Sequence, residues 1–336
     1  MHVVAAADKF KGSATAAAVC SAIGHACWEL GVDCTEVPVA DGGEGTLDAL
    51  GGANRSTLVT GPLGDPVTAE WRFHRGVAII EMAKASGLSL VGGADNNDAV
   101  AASTTGVGEL IDTALDLGAQ KIIVCLGGSA TTDGGLGAVR AIHSPARLRG
   151  VDFLVACDVD TLFTNAAKIF GAQKGAAPNQ IKFLTGRLER LQQMYQQQFG
   201  VDVGAIEGSG AAGGLAGGLC ALGARLIPGF ELVADEVGLY EAIRGSSLVI
   251  TGEGFLDDQS FAGKVVGGVC DIAKPAHVQV ATICGDIDPE IDGSLLRQAN
   301  AVSLVAHYGA EISMSRVLHC IEEQATQIVQ RLLASS

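Results

Sequence analysis

Apolar runs and helical stripes alternate from the first residues onward. His2–Ala7 is a short apolar run of the kind a buried strand needs. From Ser13, a candidate helix cap, the positions Val19, Ile23, Cys27 and Leu30 share one helical face, and Asp33–Val39 reads as a second strand. A strand, a covering helix and a second strand imply a parallel pair, because only a crossover returns the chain to the same end of the sheet. Six further buried-strand candidates follow at Val77–Met82, Lys121–Leu126, Phe153–Ala156, Ser247–Thr251, Val278–Cys284 and Ala301–Ala306. Helical patterns fill Val107–Leu117, Ile181–Phe199 and Ile312–Leu333. The last carries Leu318, Ile321, Ala325, Ile328 and Leu332 on one stripe, as a helix closing over a sheet does.

The strand–helix units at the two ends look alike, whereas the centre mixes glycine loops with short strands. The expected fold is therefore α/β with two α/β domains. One has a parallel sheet built from both termini, residues 1–60 and 285–336. The other is a mixed α/β domain inserted over residues 61–284 and entered through the turn Gly61-Pro62-Leu63-Gly64-Asp65-Pro66. Ser335–Ser336 reads as a frayed end.

Composition narrows the function. The chain has 336 residues, more than one compact core usually holds, and a hydrophobic share of 48% argues against disorder. With 37 acidic against 22 basic residues the net charge is −15, and aromatics are only 4%, so a nucleic-acid partner is not expected. No stretch is long and uncharged enough to span a bilayer, and Met1 runs straight into a strand without a basic region and apolar core of a leader; a cytoplasmic protein with no membrane partner is expected. Nine cysteines are scattered without CxxC pairs, which suits reduced core thiols better than metal ligands. The 46 glycines are the informative excess. They cluster between apolar runs, where they serve either close backbone approach to a ligand or small-residue packing.

Several of those runs end in a loop of small residues with a carboxylate or lysine, and in open α/β sheets ligands gather at the carboxyl ends of strands. Asp8-Lys9-Phe10-Lys11-Gly12-Ser13 puts a carboxylate, two ammonium groups and a helix start together, a setting for a phosphate or carboxylate. Asp41-Gly42-Gly43-Glu44-Gly45-Thr46 can present Asp41 to a substrate hydroxyl or a metal, or is a turn with a capping aspartate. Gly127-Gly128-Ser129-Ala130-Thr131-Thr132-Asp133-Gly134-Gly135 can admit a phosphate, with Asp133 a magnesium ligand or base; it lacks the Gly-Lys-Ser/Thr ending of a Walker A loop. Asp158 and Asp160 end another strand, Lys174 offers a cation, and Gly208–Gly218 either wraps a nucleotide or packs a helix. Glu253, Asp257 and Asp258 end a further strand, with Lys264 after them. His25, His277 and His319 read as structural or solvated, His307 has no metal-spaced partner, and no GxSxG elbow points to a serine hydrolase. Carboxylates, glycines and a few lysines suit phosphoryl transfer, where positioning and charge stabilisation do most of the work.

These loops resemble the bacterial glycerate kinases of the first type. The similarity lies in Asp8 with Phe10-Lys11-Gly12-Ser13, in Pro38–Thr46, in Glu81-Met82-Ala83-Lys84-Ala85-Ser86-Gly87-Leu88 and in Thr104–Leu110. It continues through Gly127–Thr131 with Asp133-Gly134-Gly135, Cys157–Asp160, Gln173–Ala176, Gly208–Gly214 and Ile250–Gly254, in order along nearly the whole chain. Against that pattern His143–Gly150 is shortened, the turn after the aspartate pair is reduced to Thr161–Asn165, Lys9 replaces a common serine and Phe255 a common basic residue. The resemblance implies ATP- and Mg²⁺-dependent phosphorylation of glycerate at the 2-hydroxyl, with 3-phosphoglycerate as the alternative product. It also implies one flavodoxin-like domain, one distinct domain and a site in the cleft between them. On these loops and this resemblance the expected catalytic residues are Asp41, Asp133 and Lys11. The expected glycerate contacts are Asp8, Ser13, Gly42, Gly43, Glu44 and Ser129. Nucleotide contacts are expected from Lys174, Gly208, Gly210, Gly213, Gly214 and Glu253, and metal ligation from Asp158 and Asp257. A homodimer is left open. Two competing readings are a nicotinamide dehydrogenase, whose glycine fingerprint is missing after the first strand, and a non-catalytic relic that binds a sugar acid.

Overall fold

The computed structural model describes residues 1–335; Ser336, read above as part of a frayed end, lies outside the described residues. Eleven strands occur among them: β1 (His2–Ala5), β2 (Asp33–Glu36), β3 (Arg55–Thr60), β4 (Pro66–His74), β5 (Val77–Glu81), β6 (Lys121–Cys125), β7 (Asp152–Ala156), β8 (Arg225–Ile227), β9 (Leu248–Leu256), β10 (Gln279–Ile287) and β11 (Ala301–Ser303). They form two sheets. In the first, β2, β1, β9, β10 and β11 lie side by side in that order and every neighbouring pair is parallel. Counted along the chain this is the 2-1-3-4-5 order of the flavodoxin-like winding, and the direction of winding reverses between β1 and β9. The second sheet runs β3-β4-β5-β6-β7-β8, with β3, β4 and β5 antiparallel and the rest parallel. The α/β class, with a parallel sheet drawn from both termini and a mixed sheet from the middle, is thus as the hydrophobic pattern predicts.

The chain divides into two compact units. The first takes Met1–Asp41, Asp48–Gly51 and everything from Gly229 onward, and the second takes Gly42–Leu47 and Gly52–Pro228. The predicted boundaries at 60/61 and 284/285 do not coincide with these. β9 and most of β10, placed by the pattern in the insertion, hydrogen-bond to β1 and β11 in the terminal sheet. The turn at Gly61–Pro66 is no domain entrance either. It joins β3 to β4, with Gly61 N–H donating to the Asp65 carbonyl (2.8 Å) and Thr60 opposite Pro66. β3 and β4 gave no apolar run because only alternate residues point inward: Val59, Ala69 and Trp71 are buried while Ser56, Leu58 and Glu70 are exposed.

In the first unit, helix Ala16–Glu29 packs Val19, Ile23 and Cys27 against Val3, Ala5, Ile250 and Ile283, and helix Val317–Ser335 adds Val317, Cys320, Ile321, Ala325 and Val329 to the same core. The closing helix is therefore shorter than the predicted Ile312–Leu333. Arg316 (φ −129°) separates it from Ala310–Ser315, and Leu318 faces outward. Ser335, the other half of the expected frayed end, continues this helix. Ser13 does not cap the first helix. Thr15 does, its Oγ1 accepting from Ala18 N–H (3.2 Å), while the Ser13 hydroxyl donates to the Phe10 carbonyl. In the second unit, Trp71, Ile80, Met82, Leu110, Ile111 and Ile122 centre the core. All nine cysteines are free thiols and seven are buried, as the core reading requires. No helix among the described residues is long and apolar enough to cross a membrane.

Candidate active site

Backbone pairing carries the first strands past their formal ends. Asp8 N–H donates to the Gly252 carbonyl (2.9 Å), and Val39 N–H donates to the Ala7 carbonyl (3.2 Å). Asp8 thereby stands just past β1, and Glu253 lies within the neighbouring β9, at the point where the winding reverses; Asp41 follows the extension of β2 toward them. A Cβ on Gly254 would come within 3.2 Å of the Lys11 amide nitrogen, so glycine is what lets the 8–13 loop lie against β9.

Asp8 is only 8% exposed; its Oδ1 accepts from the Lys9 amide (2.6 Å), and the Lys9 ammonium is 3.7 Å away. Burial pushes its pKa up to about 6, opposed by Lys9 and reinforced by the charge of Asp41. Glu253 is pushed up to about 7, again chiefly by burial. Ser260 and Lys264 oppose the shift, while Asp8 and Asp257 add to it, and its Oε1 is buried with no hydrogen-bond partner. Two carboxylates held near neutrality at a winding-reversal point are equipped to give and take protons. Asp257, expected to bind metal, is a cap: its Oδ1 accepts from the Ser260 amide (2.9 Å) and hydroxyl (3.2 Å). Lys11 is exposed.

A second cluster forms in the other unit at the carboxyl ends of β5, β6 and β7. The loop after β6 is pinned to residues 86–88, Leu88 N–H donating to Gly128 and Ala130 N–H to Ser86. Lys174, 3% exposed, points its ammonium at Ser129 Oγ and the Thr131 carbonyl, both at 2.7 Å. Burial drives its pKa down to about 7, with Asp133 opposing. Ser129, Asp158 and Lys174 line one cavity of about 160 Å³ together with Gly127, Gly128 and Ala212. Asp158 is exposed there, a hard oxygen donor of the type Mg²⁺ takes when phosphates complete its shell. A larger cavity of about 440 Å³, between Thr57 and His143, contains none of the expected residues.

Asp133 is buried and takes four hydrogen bonds. Its oxygens accept from the Thr104 amide and hydroxyl (both 2.9 Å) and from the Gly135 and Gly137 amides (both 3.1 Å). Oδ2 takes three of these donors and Oδ1 one, an arrangement that locks the loop around a residue expected to act as base. The glycines expected to wrap a nucleotide are packing surfaces. Gly213 (φ +69°) abuts the Thr131 carbonyl, Gly214 abuts Gly134 and Phe163, Gly210 donates to the Thr161 carbonyl, and Gly208 lies against Val159 and Cys157. Loop 42–47 hangs on a residue the sequence reasoning did not assign. Glu81 Oε1 accepts from the Gly45 and Leu47 amides, each at 2.8 Å, and this loop abuts Gly127, with Glu44 itself exposed. The available signal was a carboxylate ending an apolar strand. Among the described residues only His25, Glu29 and Glu322 bring three metal-type ligand atoms together; all three side chains lie away from these loops, on the helices of the first unit.

A sequence model of the glycerate kinase family matches residues 3–144 and 142–335. The chain belongs to this family. Membership makes it a phosphotransferase, a glycerate kinase, and excludes the dehydrogenase reading. The glycerate 2-kinase of Escherichia coli K12 is 39% identical over 331 residues, 87% of each chain. The glycerate kinase of Bacillus subtilis 168 is 37% identical, covering 90% of this chain and 87% of its own. A crystal structure provisionally named a glycerate kinase 2, from Salmonella typhimurium LT2, superposes with a TM-score of 0.84 at 33% identity over 100% of this chain and 99% of that one. Within this glycerate kinase, then, the two clusters above hold Asp8, Glu253 and Lys174, whose protonation burial shifts toward neutrality.

Proposed function

We propose that this chain phosphorylates D-glycerate with ATP at the 2-hydroxyl, giving 2-phosphoglycerate and ADP. The observation that carries the reading is the family match over essentially the entire chain, combined with two buried clusters whose protonation is tuned toward neutral pH. In the proposed step Asp8 takes the hydroxyl proton of glycerate while the freed oxygen attacks the γ-phosphorus. The bond from that phosphorus to the β–γ bridging oxygen breaks, and ADP leaves with the electron pair. Asp41, beside Asp8, orients the hydroxyl. Glu253, protonated over part of the neutral range, limits the charge accumulated around Asp8.

Lys174, with Ser129 and the Gly127–Gly128 backbone, binds phosphate oxygens. Its ammonium already has two fixed acceptors, so its third proton is held in a set direction, and an anion would offset the cost of burying it. Asp158 would hold Mg²⁺, which when bound neutralises charge on the β- and γ-phosphates. Lys11 and the amides of loop 8–13 are proposed to meet the glycerate carboxylate.

Coupled ADP release with ATP, Mg²⁺ and D-glycerate tests the reading. Glycerate-dependent ADP release by the wild type is expected, with a loss of about 10² or more in Lys174→Met. Release that ignores glycerate, or full activity in that variant, contradicts it.

A further inference from the structure

Two arginines line one cavity outside both clusters. A cavity of about 430 Å³ in the second unit is lined by Ser103, Thr105, Asp133, Gly137, Arg140 and Arg187, among others, and shares no lining residue with the cavity of Lys174. Neither guanidinium makes a salt bridge among the described residues. In a chain of net charge −15, two arginines facing one cavity reverse the local field.

From this convergence we infer a binding site for a small phosphate-bearing anion, separate from the catalytic clusters and independent of the glycerate reading. Arg187 is held for the task. Its Nη2 donates to the Val100 carbonyl (2.9 Å) and its guanidinium carbon lies 5.2 Å from the Phe183 ring centre, which leaves the remaining donors of its planar fork for a ligand. Arg140, exposed at the same cavity, supplies a second guanidinium to the anion. The hydroxyls of Ser103 and Thr105 are hydrogen-bonded to each other at 2.8 Å, which leaves one O–H of the pair as a neutral donor at the amino end of helix Thr105–Asp116. Asp133 is the one acidic group in the lining, and its repulsion is muted because both its oxygens already accept from Thr104, Gly135 and Gly137. The same residue belongs to the loop that carries Ser129 and Thr131, the partners of Lys174, so an occupant here touches the lock of the phosphate-binding loop. The cavity is several times larger than a bare phosphate ion, which favours a phosphomonoester with a small organic remainder.

Calorimetry on the full chain, titrated with inorganic phosphate and separately with glycerol 3-phosphate, tests the site. Saturable binding of one anion is expected, weakened about tenfold or more in Arg140→Gln and in Arg187→Gln and retained in Lys174→Met. Tighter binding of the ester assigns the site to phosphomonoesters, and equal or weaker binding assigns it to free phosphate; both keep the anion site. Arg140 is exposed, so Arg140→Gln reads the site even if Arg187→Gln disturbs the fold, with far-UV circular dichroism as the check. Unchanged affinity in Arg140→Gln, loss of the binding in Lys174→Met alone, or no saturation below about 10 mM overturns the proposal.

Discussion

Asp8 and Glu253 are acids that the folded chain resists ionising, and this has consequences for both stability and rate. Their folded pKa values, about 6 and about 7, lie above those of an unfolded chain. Between about pH 4 and 7 the unfolded chain therefore binds fewer protons, and stability falls as pH rises through that window. Asp8→Asn and Glu253→Gln should each stabilise the protein by about 1–3 kcal/mol at pH 8, with the gain vanishing near pH 4; urea unfolding at the two pH values measures it. Asp8→Asn should also lower kcat by about 10² or more, the usual weight of a general base. Lys174 has the opposite sign. Its folded value of about 7 lies below that of an unfolded lysine, so its burial penalty is complete below pH 7 and is relieved as pH rises toward about 10. Lys174→Met should therefore stabilise by on the order of 1–4 kcal/mol at pH 6 and by little at pH 10, while losing activity. With Asp8 needed ionised and Lys174 needed charged, kcat/KM should be bell-shaped with its maximum between about pH 6 and 7. A flat profile across pH 5–9 contradicts those two roles.

At the scale of loops and strands, Asp133 and Glu81 act as fasteners. Asp133 takes donors on both oxygens, so an amide would set its own N–H group against one of them, and Glu81 Oε1 holds two backbone amides that a neutral amide oxygen would hold less strongly. Asp133→Asn and Glu81→Gln should each cost about 1–3 kcal/mol of stability, seen as a lower urea midpoint, and Asp133→Asn should leave the acidic limb of the pH profile where it is. A shifted acidic limb would return Asp133 to the part of base. The sequence placed Asp133 in a glycine loop after a strand and Glu81 within the strand candidate Val77–Met82, but could not show what either fastens, because their donors come from Thr104 and Gly45, tens of residues distant. The strands buried on both faces, β1, β5, β6, β7, β9 and β10, were legible as apolar runs, while β3 and β4 were hidden by their polar outer faces. Ser13 was misread because Thr15, two residues on, offers the same hydroxyl to the first helical turn.

For the whole molecule, α/β architecture and family followed from loops in an order kept over nearly the full chain, whereas the unit boundaries did not. The chain passes between its two units at 41/42, 47/48, 51/52 and 228/229; glycines flank three of these places, but glycines fill many other loops of the chain as well, and the boundary is set by which strands β9 and β10 pair with. The proposed reaction transfers a phosphoryl group from ATP to one hydroxyl of glycerate. Phosphorus NMR of the mixture formed from ATP, Mg²⁺ and D-glycerate reads it directly: 2-phosphoglycerate should accumulate in step with ADP. ADP appearing without a phosphoglycerate resonance, or only inorganic phosphate, would contradict it.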